Sequence, residues 1–134
     1  MKHAKECTII FLIGGITYAC IEILWRQYTH WSMVIAGGTS FLSLYKIYDK
    51  LKDISLLTRC VIGSGVITAI EFVTGCIVNL WLNLNVWNYS FIPFNILGQI
   101  CILYSTLWGF LCIPINGMCH GIRKIKNAEN KKAA

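Results

Sequence analysis

Read from its amino terminus, the chain alternates long apolar runs with short polar clusters, and the runs set the architecture. Four stand out, roughly Cys7 to Trp25, Trp31 to Tyr48, Cys60 to Leu82 and Asn95 to Met118. Each is close to the ~20 residues a helix needs to cross the hydrocarbon core of a bilayer. The pattern predicts an all-α integral membrane protein with four transmembrane helices in a bundle. Residues 1–134 then form a single membrane domain, helices about 7–25, 31–48, 60–82 and 95–118, with a basic tail at 119–134. Three short loops and two tails are left outside, too little for a separate soluble domain.

Polar residues recur inside the runs at helical spacing. The third run carries Ser64, Thr68, Glu71, Gly75, Asn79 and Asn83. The fourth carries Asn95, Gln99, Ile102, Thr106, Gly109, Ile113 and Asn116, and the first Gly15, Ala19, Glu22 and Arg26. Small and polar stripes of this kind mark faces where membrane helices pack closely and amides find partners. Asn95, two residues after Pro93, is expected to cap the fourth helix; Gln99, one turn further, is not a cap.

Glu71 lies near the middle of its run, where a charged carboxylate costs several kcal/mol. Two roles are open to it. It either fixes helix register by hydrogen bonding to Gln99 or Asn95, or it binds a proton, a cation or a polar substrate group in an inner cavity. Glu22 precedes Arg26 by one turn in the favourable order, so a local ion pair is a sufficient account of it. The segments GGITYACIE, 14–22, and GSGVITAIE, 63–71, both place a glycine eight residues before the glutamate. That echo fits two parallel hairpins related by an axis along the membrane normal.

Composition agrees with the pattern: 56% of residues are hydrophobic, 13% are charged, and the mean hydropathy is +0.60. Charge then orients the bundle. Eleven of the twelve Lys and Arg residues fall before helix 1, around the helix 2–3 loop or after helix 4, with Arg26 alone on the opposite side. The positive-inside rule puts both termini in the cytoplasm of a multi-pass cell-membrane protein. Because the basic residues flank spans, the net charge of +6 is explained by topology and anionic headgroups, and no nucleic-acid partner is expected. The uncharged outer loop, 83–94, with Trp25, Trp31, Trp81, Trp87 and Tyr89 in or beside it, reads as an aromatic belt at the interface.

Seven cysteines are spread singly through the runs, and His3, His30 and His120 stand at different segment ends. Neither a disulfide framework nor a metal site is indicated, and no cofactor is expected. The first run follows Lys2 and Lys5 like a signal peptide. It is nonetheless read as a retained helix, because it is long, contains Glu22 and lacks a small-x-small cleavage site.

The stretch IEFVTGCIVNLWLNLNVWNYSFIPFNILGQICILYSTLWGF, 70–110, closely resembles the signature of the "putative ABC-transporter type IV" (CmpB-like) membrane proteins. The features of that signature are a Glu-x-x-x-Gly helix, a Trp-Asp-Tyr-Ser loop and an Asn-x-x-Gly-Gln helix ending in Trp. GGITYACIEILWRQYTHWSM, 14–33, is similar to the first helix and outer turn of that family. The resemblance marks Glu22, Glu71, Gly75, Trp87, Tyr89, Ser90, Asn95, Gly98, Gln99 and Trp108. At Asn88 this chain departs from it, with an amide where the family motif has Asp.

Glu22, Glu71, Asn95 and Gln99 are thus the candidate intramembrane polar site, and Trp87, Asn88, Tyr89 and Ser90 the outer-loop motif. The resemblance implies a small permease-like or transport-associated subunit. With no P-loop in this sequence, ATP hydrolysis would fall to a separate subunit, and four short helices would need self-association or a membrane partner. The alternative is a scaffold, assembly factor or lipid-interacting protein whose polar stripes only pack. An embedded enzyme is a third class, but no nucleophile–base pair accompanies the two carboxylates, so no catalytic residue is assigned.

Overall fold

A computed structural model describes residues 1–134. Four helices dominate: α1, Lys2–Arg26; α2, Trp31–Lys50; α3, Leu56–Gly75; and α4, Ile102–Ala133. A π-helical turn, Cys76–Trp81, extends α3, and a two-stranded antiparallel hairpin, β1 (Asn95–Ile96) and β2 (Ile100–Cys101), precedes α4. Three helical segments, Lys2–Arg26, Leu56–Trp81 and Ile102–Ala133, are long and apolar enough to cross a membrane. α2 is not among them, because its sequence is interrupted by Ser32, Thr39, Ser40 and Ser43 and ends in Lys46, Asp49 and Lys50.

Local chemistry sets the ends. α1 stops at Gln27, whose left-handed φ of 57° lets its N–H close on the Ile23 carbonyl at 2.8 Å. α2 starts after His30, whose Nδ1 accepts the Ser32 N–H, and α3 after Ser55, whose hydroxyl oxygen accepts the Thr58 N–H at 3.2 Å.

Packing follows chain order. α1 lies on α2, α2 on α3 and α3 on α4, while α1 and α4 scarcely approach one another. The α1–α2 contact is built on glycine. A Cβ at Gly15 would stand 2.7 Å from the Val34 carbonyl oxygen, and one at Gly38 2.7 Å from that of Phe11. Gly14 and Gly37 are similarly closed off by the Cβ atoms of Phe41 and Tyr18. One core cluster, Ile10, Phe41, Leu44, Tyr45, Tyr48, Ile67, Cys112 and Cys119, fills the end where the termini lie. A second, Met33, Val78, Val86, Trp87, Tyr89 and Cys101, fills the other end beneath the long loop. Across the open seam, Lys126 Nζ reaches Glu6 at 2.7 Å, and Arg123 pairs with Asp49 of α2 at 3.2 Å.

Two expectations are corrected here. The fourth helix begins at Ile102, not at Asn95, so Asn95 caps no helix. Leu97 and Gly98, with φ of 54° and 69°, turn the chain back on itself, and a hairpin occupies the first part of the predicted span. The packing stripe of α4 is accordingly one residue out of phase with the expected row. Cys101, Ser105, Trp108, Cys112 and Cys119 face inward, whereas Ile102, Thr106 and Ile113 are exposed. The α3 stripe meets this corrected row: Ser64 donates to the Ser105 carbonyl at 2.6 Å, and Thr68 and Ser105 hydroxyls lie 2.8 Å apart.

Candidate functional site

The polar interior converges on Glu71. It stands in the buried row Gly63, Ile67, Glu71, Gly75 of α3 and is only 5% exposed. Its Oε1 accepts the Tyr89 hydroxyl at 2.8 Å, and its Oε2 accepts the Trp108 indole N–H at 2.8 Å. Both carboxyl oxygens thus have a donor. Tyr89 stacks on Tyr104 with centroids 4.6 Å apart, Tyr104 leans on Trp108 at 6.0 Å, and Trp108 on Tyr18 at 5.9 Å. An aromatic wall contributed by α1, the loop and α4 therefore screens the carboxylate.

Neither expected partner of Glu71 bonds to it. Gln99 is held by Asn79, whose Nδ2 donates to its Oε1 at 2.8 Å, and it donates in turn to the Leu97 carbonyl at 2.9 Å. Asn95 closes a turn, donating to the Ile92 carbonyl at 2.8 Å and accepting the Gly98 N–H at 3.1 Å. The physical reason is the hairpin: residues 95–101 do not continue the helix, so the spacing that would stack them above Trp108 does not apply.

Asn79 is the residue that sequence reasoning undervalued. Its Oδ1 accepts the backbone N–H of Val86 at 2.7 Å and of Trp87 at 3.4 Å, while its amide holds Gln99. The π-helical turn carries it, and local widening of a helix is frequent at such functional positions. Trp87 completes the floor of the loop, its indole donating to the Gln99 carbonyl at 3.0 Å. Gly75 leaves the room required, since a Cβ there would sit 2.6 Å from Gln99 Oε1. Its place in the polar stripe was the available signal; its loop-binding role needed the π turn.

The outer-loop motif divides. Trp87 and Tyr89 are buried and point into the molecule, not into an interfacial belt, whereas Trp25, Trp31 and Trp81 are exposed as the belt reading requires. Asn88 Oδ1 accepts both the Ser90 N–H, at 2.9 Å, and the Ser90 hydroxyl. A carboxylate oxygen would accept the same two donors, so the amide at Asn88 preserves the turn.

Glu22 makes the expected pair: Arg26 Nη1 donates to its Oε1 at 3.0 Å. Arg26 Nη2 also donates to the Val86 carbonyl at 2.7 Å, tying the end of α1 to the loop. Glu22 Oε2 is buried and has no hydrogen-bond partner.

Two adjoining cavities lie along the α1–α4 seam. The outer, about 410 Å³, is walled by Tyr18, Trp87, Tyr89, Tyr104 and Trp108 with Glu22 and Arg26 at one side. Its rim includes the exposed apolar residues Ile21, Trp25, Phe91 and Leu107. The inner, about 130 Å³, continues past Tyr18, Met33 and Trp108 to Glu71, Gly37 and Pro114. Glu22 thus lines one of two neighbouring cavities and Glu71 the other, while Gln99 and Asn95 line neither. No three His, Cys, Asp or Glu side chains come together as a metal-ligand group.

No solved structure matches the chain. A family model described as "Putative ABC-transporter type IV" matches residues 9–132. Together with three helices of membrane-crossing length and composition, the match marks a membrane protein of an ABC-transporter-related family. With nearly its whole length covered by that model, the chain belongs to the Putative ABC-transporter type IV family.

Proposed function

We propose that the chain is a multi-pass cell-membrane protein with both termini cytoplasmic, a single membrane domain of four embedded helices. In this reading it is a small permease-like or transport-associated subunit, acting with a second copy or with another membrane or ATPase subunit. The observation that carries the proposal is Glu71, a carboxyl group buried in the middle of a long apolar helix and lining a cavity. Intramembrane carboxylates are expensive to retain and commonly serve ion or substrate pathways. A second reading, a scaffold or assembly protein, is favoured by the internal pairing of Ser64, Thr68, Asn79 and Gln99, which leaves no polar stripe free for a passing solute.

Orientation rests on the basic asymmetry. On a cysteine-free background, Asn85→Cys is expected to react with an impermeant maleimide from outside intact cells. Labelling only after permeabilisation would overturn the topology. Mass measurement of the purified protein in nanodiscs tests the permease reading: an oligomer, or a complex with a further subunit, is expected, because four helices are few for a complete translocation path. A strict monomer would remove that reading and leave the scaffold.

A further inference from the structure

We propose that the cavity between the α2–α3 turn and the second half of α4 binds an anionic phosphate group, presented by a lipid headgroup or by a soluble phosphate ester. The inference rests on the topology proposed above, which puts this end of the bundle at the cytoplasmic face. It assigns a ligand at the end of the molecule away from Glu71.

The cavity measures about 940 Å³. Six basic side chains line it: Lys52 from the turn, Arg59 from α3, and His120, Arg123, Lys124 and Lys131 from α4. No Asp or Glu does, and Asp53 and Glu129, near this set in sequence, lie outside the lining. The ion pairs of the molecule are Glu22–Arg26, Asp49–Arg123 and Glu6–Lys126. Arg123 is therefore the one Lys or Arg of the lining with a carboxylate partner, and Lys52, Arg59, Lys124 and Lys131 keep uncompensated charge. A concave wall of one sign concentrates ions of the other.

Arg59 makes the wall a fixed one. Its Nη1 donates to Asn116 Oδ1 at 2.9 Å, and its Nη2 to the Leu51 and Lys52 carbonyls at 3.3 and 3.0 Å. The guanidinium lies 5.3 Å from the centre of the Tyr48 ring. Every acceptor is neutral, so these bonds pin the α2–α3 turn to α4 without cancelling the charge. The lysines remain free to close on a ligand: Lys52, Lys124 and Lys131 are exposed, and among lysines only Lys126 commits its ammonium to a bond within the protein.

Charge and shape then select the ligand. Cationic groups face the space from the turn, from α3 and from α4, which suits several acceptor oxygens around one centre, as in a phosphate. Basic pockets among membrane helices on the cytoplasmic side hold phosphate headgroups in this way. Ile54 and the exposed Leu56 border the same cavity and offer an apolar shelf to the carbons of a lipid.

The test is native mass spectrometry of the full chain released from neutral detergent micelles doped with dioleoylphosphatidylglycerol or dioleoylphosphatidylcholine. Saturable one-to-one binding is expected for the anionic lipid, about tenfold tighter than for the zwitterionic one. Lys52→Gln combined with Lys124→Gln, at exposed positions on two sides of the cavity, is expected to weaken the anionic lipid about tenfold. Lys2→Gln combined with Lys5→Gln removes the same charge outside the cavity and is expected to change binding less than about twofold, since separated exposed charges are screened. Glycerol phosphate, titrated calorimetrically, separates the sources. Affinity equal to or above that of the lipid assigns a soluble ester, and weaker or absent binding assigns the headgroup; either keeps the site. Failure of both the anionic lipid and glycerol phosphate to bind, equal binding of the two lipids, equal losses in the two double variants, or no loss in the Lys52 and Lys124 pair would each overturn the proposal. Micelles have no sides, so a bundle of reversed orientation still binds here, while a correctly oriented bundle that does not bind loses this site alone.

Discussion

Glu71→Leu is expected to lower stability in detergent by roughly 3 kcal/mol or more, whereas Glu71→Gln costs only about 1 kcal/mol. The difference lies in the partners. Trp108 Nε1 can only donate, and with leucine opposite it the indole N–H and the Tyr89 hydroxyl are both left buried without an acceptor. Glutamine offers its carbonyl to Trp108 and its amide N–H to the Tyr89 oxygen, which accepts as well as donates. Only the outgoing proton of Tyr89 loses its place. Thermal midpoints of wild type, Gln and Leu in one detergent check the order, and comparable destabilisation by Gln and Leu would contradict the bonding described. Scored together with rescue of the deletion phenotype, the same series divides the functional readings. A transporting Glu71 predicts that Gln folds yet fails to rescue; full rescue by Gln would leave a structural membrane protein.

The second large effect is expected at the α1–α2 contact. Gly15→Ala and Gly38→Ala should each destabilise by about 1–3 kcal/mol, because the obstacle to the new methyl is a backbone carbonyl that cannot move without parting the helices. Gly65→Ala is the control of opposite sign. It meets nothing within 4 Å and should stabilise α3 by about 0.5–1 kcal/mol through helix propensity. Thermal or denaturant midpoints of the three variants decide the matter, and destabilisation by Gly65→Ala equal to the other two would refute the close-approach argument.

How much of this was legible beforehand differs by element. α1, α2 and α3 were readable in place, though not to the residue at their ends, because each is a long apolar run, and the Glu22–Arg26 pair followed from spacing on one helix. The start of α4 was not readable in the same way. Ile96, Leu97, Ile100 and Cys101 are apolar enough to extend the span, and nothing in their polarity distinguishes a hairpin from a helix. What decides is the left-handed backbone at Leu97 and Gly98, stabilised by the Asn95 side chain, a property of the turn and not of hydropathy. That misplacement propagated to the site. Phasing α4 from Asn95 assigned Gln99 to Glu71, while the true row brings Trp108 and lets the loop deliver Tyr89. Glu71 itself was legible because a carboxylate among apolar residues is conspicuous. Its partners were not, because aromatic residues in a membrane sequence have a ready alternative account as interfacial anchors.

The apolar rim of the outer cavity bears on how any occupant is counted. Ile21, Trp25, Phe91 and Leu107 surround the mouth, so in the membrane-embedded reading proposed above the approach runs past acyl chains. Occupancy then tracks the concentration of a compound dissolved in the membrane. Two molecules with identical contacts to the protein but different oil–water partition would show different apparent affinities when doses are expressed per volume of buffer, and equal ones when expressed per mole of lipid. Titrations repeated at several lipid-to-protein ratios would reveal that scaling directly. On that reading, an opening between α1 and α4 would make the lipid phase a reservoir as well as a solvent.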